Sequence, residues 1–365
     1  MKHTKSARGL TALSAAATTA ALAVTLFAPP ASAVEWDPVA SGLDNPRQLS
    51  FTKNALYVAE AGRGGEGTCV TAAEGEVCLG LTGAVTRVKN GVKKRILTGL
   101  PSLAAEDGSG AIGPADVFVV GPSRRYAVTI GLGNDPSVKE VLGRRGRRLG
   151  TVVRGRFPVA GPRISADIAA FELAKDPDGL GPDTNPTGLI RRSRGAFVLT
   201  DSGGNTLLRS RFGHVTRLAT FGSPGNAPAD MGGFPIQPVP TSVAVGPDGA
   251  FYVSELTGFP FVPGLARIHR VVPGMPSTVY ASGLTNVTDL AWHKSDLYAV
   301  QIADDGLQAG PIGSLVRVNP AGYHISVADG LFAPYGLAFH NNDAYVTICS
   351  VCAGTGEVIR IPVGS

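Results

Sequence analysis

One short pattern recurs six times along this chain, and tandem repetition at such a spacing dictates architecture before any single residue is considered. An apolar strand opens each copy, at Pro46, Pro114, Pro186, Pro240, Val287 and Pro334. The fourth copy reads Pro240-Thr241-Ser242-Val243-Ala244-Val245. A second strand follows each, such as Phe251-Tyr252-Val253, and a third usually carries Arg, as at Arg87, Arg154, Arg209, Arg267, Arg317 and Arg360. A fourth is visible at 279–281 and 325–327. Between the first and second strands, Gly246-Pro247-Asp248-Gly249 is a turn with a mechanism: Pro presets φ, Asp caps, and Gly takes the left-handed position. Four short antiparallel strands per repeat predict an all-β fold, a six-bladed β-propeller. The later blades are spaced by about 46 residues, within the propeller range. Small residues in the first strands (Ser50, Gly188, Ala244, Ala291, Gly336, Ala338) suit a crowded axis.

The chain stops just after a third strand, and its early segment "VASGLDNP" (39–46) repeats the fourth-strand exit "VYASGLTN" (279–286). A strand at about 34–40 is therefore expected to complete the last blade, which removes open sheet edges. Residues 1–33 read as a signal peptide: Lys2, Lys5 and Arg8, then an uncharged apolar stretch over 10–28, then Ala31-Ser32-Ala33 for cleavage. The propeller domain is then 34–365, and the protein is expected to be secreted. Removing the signal leaves 30 basic and 28 acidic residues, so the net charge falls from +5 to +2. That balance argues against a nucleic-acid partner. The 48 Gly and 27 Pro suit short strands and tight turns, and a monomer is expected.

Export makes disulfides the default for Cys69, Cys78, Cys349 and Cys352. Three connectivities exist. Close spacing favours the local pairs, Cys69 with Cys78 and Cys349 with Cys352, because short loops close cheaply. Cross-pairing would instead staple blade 1 to blade 6.

Ligand binding is expected at the axis. The residues entering the first strands are Gln48, Asp116, Gly188, Ser242, Asp289 and Gly336. Blades 2 and 5 face each other in a six-fold ring, so Asp116 and Asp289 are candidate ligands of a shared hard cation, Ca²⁺. The competing reading is that each carboxylate serves a backbone turn. Glu60, Asp201, Glu255 and Gln301 end their second strands and form a second candidate ring, or else solvated loop edges.

Other motifs are weaker. Asp176, Asp178, Asp183 and Asn185 make an oxygen-rich loop without EF-hand order, read as a connector. Ser165 is placed as the cap of a short helix at 166–174. Gly62, Gly64 and Gly67 match GxGxxG without a following helix, which points to a flexible loop. Ten basic residues against two acidic ones lie between Arg124 and Arg163, centred on Arg144, Arg145, Arg147 and Arg148. Such a run is a solvated loop or a contact for an anionic wall polymer or surface. No GxSxG or HExxH occurs, and His269 and His340 read as structural.

The segments "SGLDNPRQLSF", "LYVAEAGRGGEGTCV", "IGLGNDP", "DIAAFELAKDPDG", "VPTSVAVGPDGAFYVSELTGFPF" and "GEVIRI" together resemble the ScyD/ScyE family. These are exported propellers related to NHL-type repeats, named from gene clusters for the pigment scytonemin. The resemblance spans essentially the whole mature chain. It implies the propeller fold and export, and it carries over no catalytic residue. The expected function is a non-catalytic extracellular binding or scaffolding module for a small molecule or extracellular polymer, without an organic cofactor. The alternatives are a metal-dependent hydrolase or lactonase at the central channel, and a quinone-dependent sugar dehydrogenase.

Overall fold

The computed structural model describes residues 36–363 apart from 73, 74, 122, 160 and 194. The proposed signal segment lies outside the described residues. Six antiparallel sheets follow one another along the chain. Their innermost strands are Pro46–Thr52, Pro114–Val120, Pro186–Ser193, Pro240–Val245, Val287–His293 and Leu337–His340, heading blades 1 to 6. Each blade is apolar on both faces because both pack on neighbouring blades. Tyr252, Leu290 and Leu297, for instance, share one buried cluster across blades 4 and 5. The all-β, six-bladed propeller expected from the repeats is the observed fold.

Closure also follows the sequence, with a shift. The strand Asp37–Leu43 pairs antiparallel with Gly356–Pro362, setting Asp37 against Arg360 and Leu43 against Gly356. It starts three residues later than anticipated, and Val34 falls outside the described residues. Leu43 and Val358 are fully buried at this seam, and Arg360 forms an ion pair with Asp37.

The axis is as tight as its small residues imply. A Cβ on Gly188 would sit 2.6 Å from Ser242 Cα, and one on Gly336 would sit 2.7 Å from Gln48 Cα. Only a residue without a side chain fits where adjoining inner strands converge this closely.

Blades 1 and 2 carry the departures. In blade 1 the third and fourth strands run on as a long hairpin, Gly75–Lys89 with Val92–Ala104, joined by Cys69–Ala72. Both disulfides are the local ones, Cys69–Cys78 and Cys349–Cys352. The Gly62–Gly67 segment is not a loose loop: Gly67 N–H bonds Leu79 O (2.9 Å) and Gly64 N–H bonds Ser102 Oγ (3.0 Å). In blade 2 the Arg-rich run is not a loop but the end of a helix, Val138–Gly146, with Leu142 buried and Arg144, Arg145 and Arg147 exposed. The second helix is Ile168–Lys175, capped by Asp167, which accepts from Ala170 N–H (3.1 Å). Ser165 is instead part of the outer strand Arg163–Asp167.

Candidate functional site

Each blade is an up-and-down meander, so the ring has two ends. One holds the starts of the inner strands, the ends of the second strands and the crossings between blades; we name it the entry end. The other holds the hairpin turns.

At the entry end the predicted axial residues are held by hydrogen bonds within and between blades, and Ser242 bonds Asp289 directly. Gln48 of blade 1 reaches across the axis, its Nε2 donating to Thr241 O (3.1 Å) in blade 4 and Thr288 O (3.2 Å) in blade 5. Its Oε1 is buried without a hydrogen-bond partner. Asp116 accepts from Val117 N–H (2.6 Å) and, in blade 3, from Leu189 N–H (2.7 Å). Asp289 accepts from Ser242 Oγ (2.5 Å) in blade 4, its neighbour Leu290 N–H (2.8 Å) and Leu337 N–H (2.7 Å) in blade 6. Both carboxyl groups therefore bridge blades. Arg47 lies over the Tyr335 ring at 4.7 Å beside them.

Burial, together with the nearby Asp289 charge, pushes Asp116 up to about 8, and burial pushes Asp289 up to about 7. In the unfolded chain such carboxyls ionise near pH 4. Between those values the folded chain binds more protons, so their contribution is complete below about pH 4 and is lost as pH rises toward 8. The melting temperature in chelator should fall by on the order of 5 °C from pH 5 to pH 8.5, and less in Asp116→Asn. A flat or rising profile in thermal melts would contradict this.

The second polar ring is not solvated. Glu60, Asp201 and Glu255 are completely buried. Glu60 binds Arg95 (Nη2, 2.6 Å), Thr86 and the Asp44 N–H (2.8 Å). Asp201 accepts from Thr184 Oγ1 (2.7 Å) and Asn185 N–H (2.6 Å), and burial first of all pushes it up to about 7. Glu255 binds Arg267 Nε (2.8 Å) and His269 Nε2 (2.7 Å). Gln301 accepts from Thr285 N–H (2.7 Å). These groups clamp the segments that lead into and out of the inner strands. His269 is part of that clamp, and His340 stacks on Phe51 at 4.7 Å, so both are structural.

A hydroxyl ladder escaped the sequence reading. Thr129, Thr200 and Ser254 of the second strands each accept the N–H at the bulge of their own inner strand, at Asp116, Gly188 and Ser242, and Thr347 accepts that of Gly336 just before the blade 6 inner strand. Thr129 and Thr347 also donate to the next blade, at Thr187 O (2.5 Å) and Arg47 O (3.0 Å). The signal was present: Thr or Ser stands three residues after Tyr126, Phe197, Phe251 and Ala344.

The hairpin end has a different chemistry. Three clefts lie at successive blade junctions. That between blades 1 and 2 is about 670 Å³ and lined by Lys53, Arg87, Lys89, Lys94 and Arg124. The next is about 580 Å³, with Arg125, Arg154, Arg156, Arg163 and Arg191 beside Tyr126, Phe197 and Phe212. The third is about 310 Å³, with Arg192, Arg209 and Arg211. No Asp or Glu is among the residues lining these three clefts. In blades 4 to 6 third-strand arginines at this end are neutralised: Arg270 by Asp248 (2.6 Å), Arg317 by Asp296 (3.5 Å) and Arg360 by Asp343 (3.5 Å).

No protein-family model and no curated protein matches the chain. Solved structures do. A glucose dehydrogenase is 12% identical with a TM-score of 0.53, covering 90% of this chain and 100% of that one. A second glucose dehydrogenase structure is 13% identical with a TM-score of 0.51, covering 91% and 99%. A catalytically inactive virginiamycin B lyase from Staphylococcus aureus, with Quinupristin, is 12% identical at a TM-score of 0.49, covering 90% and 99%. Fold and comparisons thus define the class: this is a six-bladed β-propeller. At these identities the likeness carries the fold and not the chemistry. Two disulfides are compatible with an extracellular protein, and no helix among the described residues is long and apolar enough to cross a membrane.

Proposed function

We propose that this chain is an exported, non-catalytic binding module of the ScyD/ScyE type, and that it holds a linear acidic polymer against the hairpin end of blades 1 to 3. The observation that carries this reading is the asymmetry of that end. Blades 4 to 6 neutralise a third-strand arginine with a carboxylate in or just after the first turn. Blades 1 to 3 place Asn54, Arg124 and Gly195 near those turns instead, and Arg or Lys accumulates along three adjoining clefts. Concentrated like charge costs self-repulsion, which an anionic ligand relieves while being steered in. Three clefts in an arc suit a chain of repeated negative groups better than one small anion. Exposed Arg144, Arg145 and Arg147 lie on the helix between the second and third strands of blade 2, toward the entry end and apart from these clefts.

The metal-dependent hydrolase reading draws less support. Asp116 and Asp289 each accept two or three hydrogen bonds from their own and neighbouring blades, which accounts for both buried carboxyl groups without a metal.

Calorimetric titration with polygalacturonate, with neutral dextran as control, tests the proposal. Binding is expected at low salt, weakening steeply as NaCl rises. The triple variant Arg154→Ser, Arg156→Ser, Arg191→Ser should lose about 10-fold in affinity, three exposed charges each contributing up to about 1 kcal/mol. The pair Arg144→Ser, Arg145→Ser should lose less. Equal affinity of the triple variant and the native chain would refute the assignment of the surface.

A further inference from the structure

The crossing from blade 2 to blade 3 carries a carboxylate cluster that neither the axial clamp nor the basic face uses. The helix Ile168–Lys175 ends at Asp176, which is left-handed (φ 38°, ψ 66°) and returns its N–H to Glu172 O. The chain then doubles back through Pro177 and Asp178. This brings one carboxylate oxygen each from Glu172, Asp176 and Asp178 within 4.8 Å of one another. Among the described residues, no Lys or Arg forms an ion pair with any of the three.

Clustering alone would mean little, since surface acids often gather. The independent observation is Glu172. It is 0% exposed, and neither of its oxygens has a hydrogen-bond partner. Asp176 Oδ1 is likewise buried and unpartnered. The remaining oxygens each accept one hydrogen bond, Asp176 Oδ2 from Gly181 N–H (3.3 Å) and Asp178 from Leu180 N–H (3.0 Å) and the buried Asn205 Nδ2 (2.8 Å), which leaves each a second lone pair. The backbone at Gly204 presses against the cluster, where a Cβ would lie 2.5 Å from Glu172 Oε2. A carboxylate enclosed this way without a donor carries a large desolvation cost that a cation would offset.

We propose that Glu172, Asp176 and Asp178 bind a Ca²⁺ ion that ties the end of the helix to the entry of blade 3. The donors are all oxygen, which suits a hard cation. One oxygen from each of the three can reach a common centre, since all lie within 4.8 Å of one another and Ca–O distances are about 2.4 Å. Mg²⁺ demands a strict octahedron and dehydrates reluctantly, so an all-protein set of three carboxylates of unequal burial suits it less. Asp176 and Asp178 are only part-buried, so water can complete a coordination number of about 6–8. Three carboxylates that differ in burial predict an affinity in the range of extracellular modules, Kd on the order of 10⁻⁴ M.

The full chain, stripped with EGTA, is titrated with CaCl₂ by calorimetry and by thermal melting. About one equivalent should bind, and roughly 10 mM Ca²⁺ should raise Tm by about 5 °C. Mg²⁺ at the same concentration should give less than half that shift. Glu172→Gln keeps the shape and removes the charge, so in EGTA it should melt at or above the native temperature while its Ca²⁺ response disappears. Asp178→Asn should lose the response too. The proposal falls if no equivalent binds, if Mg²⁺ matches Ca²⁺, or if the response survives both substitutions. A response abolished only by Asp116→Asn or Asp289→Asn would place the ion at the axis and also overturn it.

Discussion

A variant lacking residues 36–43 is expected to lose most of its soluble yield, and whatever folds should melt far below the native chain. The deletion strips the outer strand from blade 6 and leaves Gly356–Pro362 as an open edge that other chains can pair with. It also uncovers Val358 and removes Leu43, both fully buried. A single Leu43→Ala change should already cost about 2–5 kcal/mol, as truncation of a sealed core leucine does. Size-exclusion chromatography and urea unfolding of the two variants measure the effect. Native-like yield and stability in the truncated chain would mean that blade 6 is complete without this strand.

Glu255→Ala should be the most damaging single substitution at the entry end. Glu255 is wholly buried and accepts from Arg267 through Nε and Nη2 (each 2.8 Å), from the Arg267 N–H (3.2 Å) and from His269 (2.7 Å). Deleting it strands Arg267, whose side chain is only 19% exposed, next to a buried imidazole. Breaking a buried pair from one side costs about 3–5 kcal/mol, because the remaining charge keeps its desolvation penalty. Glu140→Ala on the exposed helix face is the control and should change stability by less than about 0.5 kcal/mol. Similar urea midpoints for the two variants would remove Glu255 from the clamp.

Why some features were legible and others were not follows from how far apart the partners are. Strand count, blade closure and local disulfides are written in neighbouring residues or in exact repetition, so inspection of the chain finds them. The identity of the axial residues was legible in the same way, since Gln48, Asp116, Ser242 and Asp289 share one register position. Their partners were not: Gln48 bonds to Thr241 and Thr288, 193 and 240 residues away. A carboxylate that looks available in sequence turns out to hold Leu189 or Leu337 of another blade. The Arg144–Arg148 run looked like a loop because Gly143 and the arginines hide the apolar pair Val138 and Leu142, which the fold buries or half-buries. The basic clefts needed the ring itself, because Arg154 and Arg191 become neighbours only when blades 2 and 3 stand side by side. Glu172 gives no signal in the sequence, because it is enclosed by the backbone at Gly204, which belongs to the next blade.

The seam between Asp37–Leu43 and Gly356–Pro362 sets a timetable for the molecule's birth. Arg360 meets Asp37 at a sequence separation of 323, so the first of the described strands to be made waits for the last of them. Contacts so remote in sequence form slowly. Until Gly356–Pro362 has been made, Asp37–Leu43 has no mate and blade 6 stays unfinished, and a chaperone that shields either would act on the whole wheel at once.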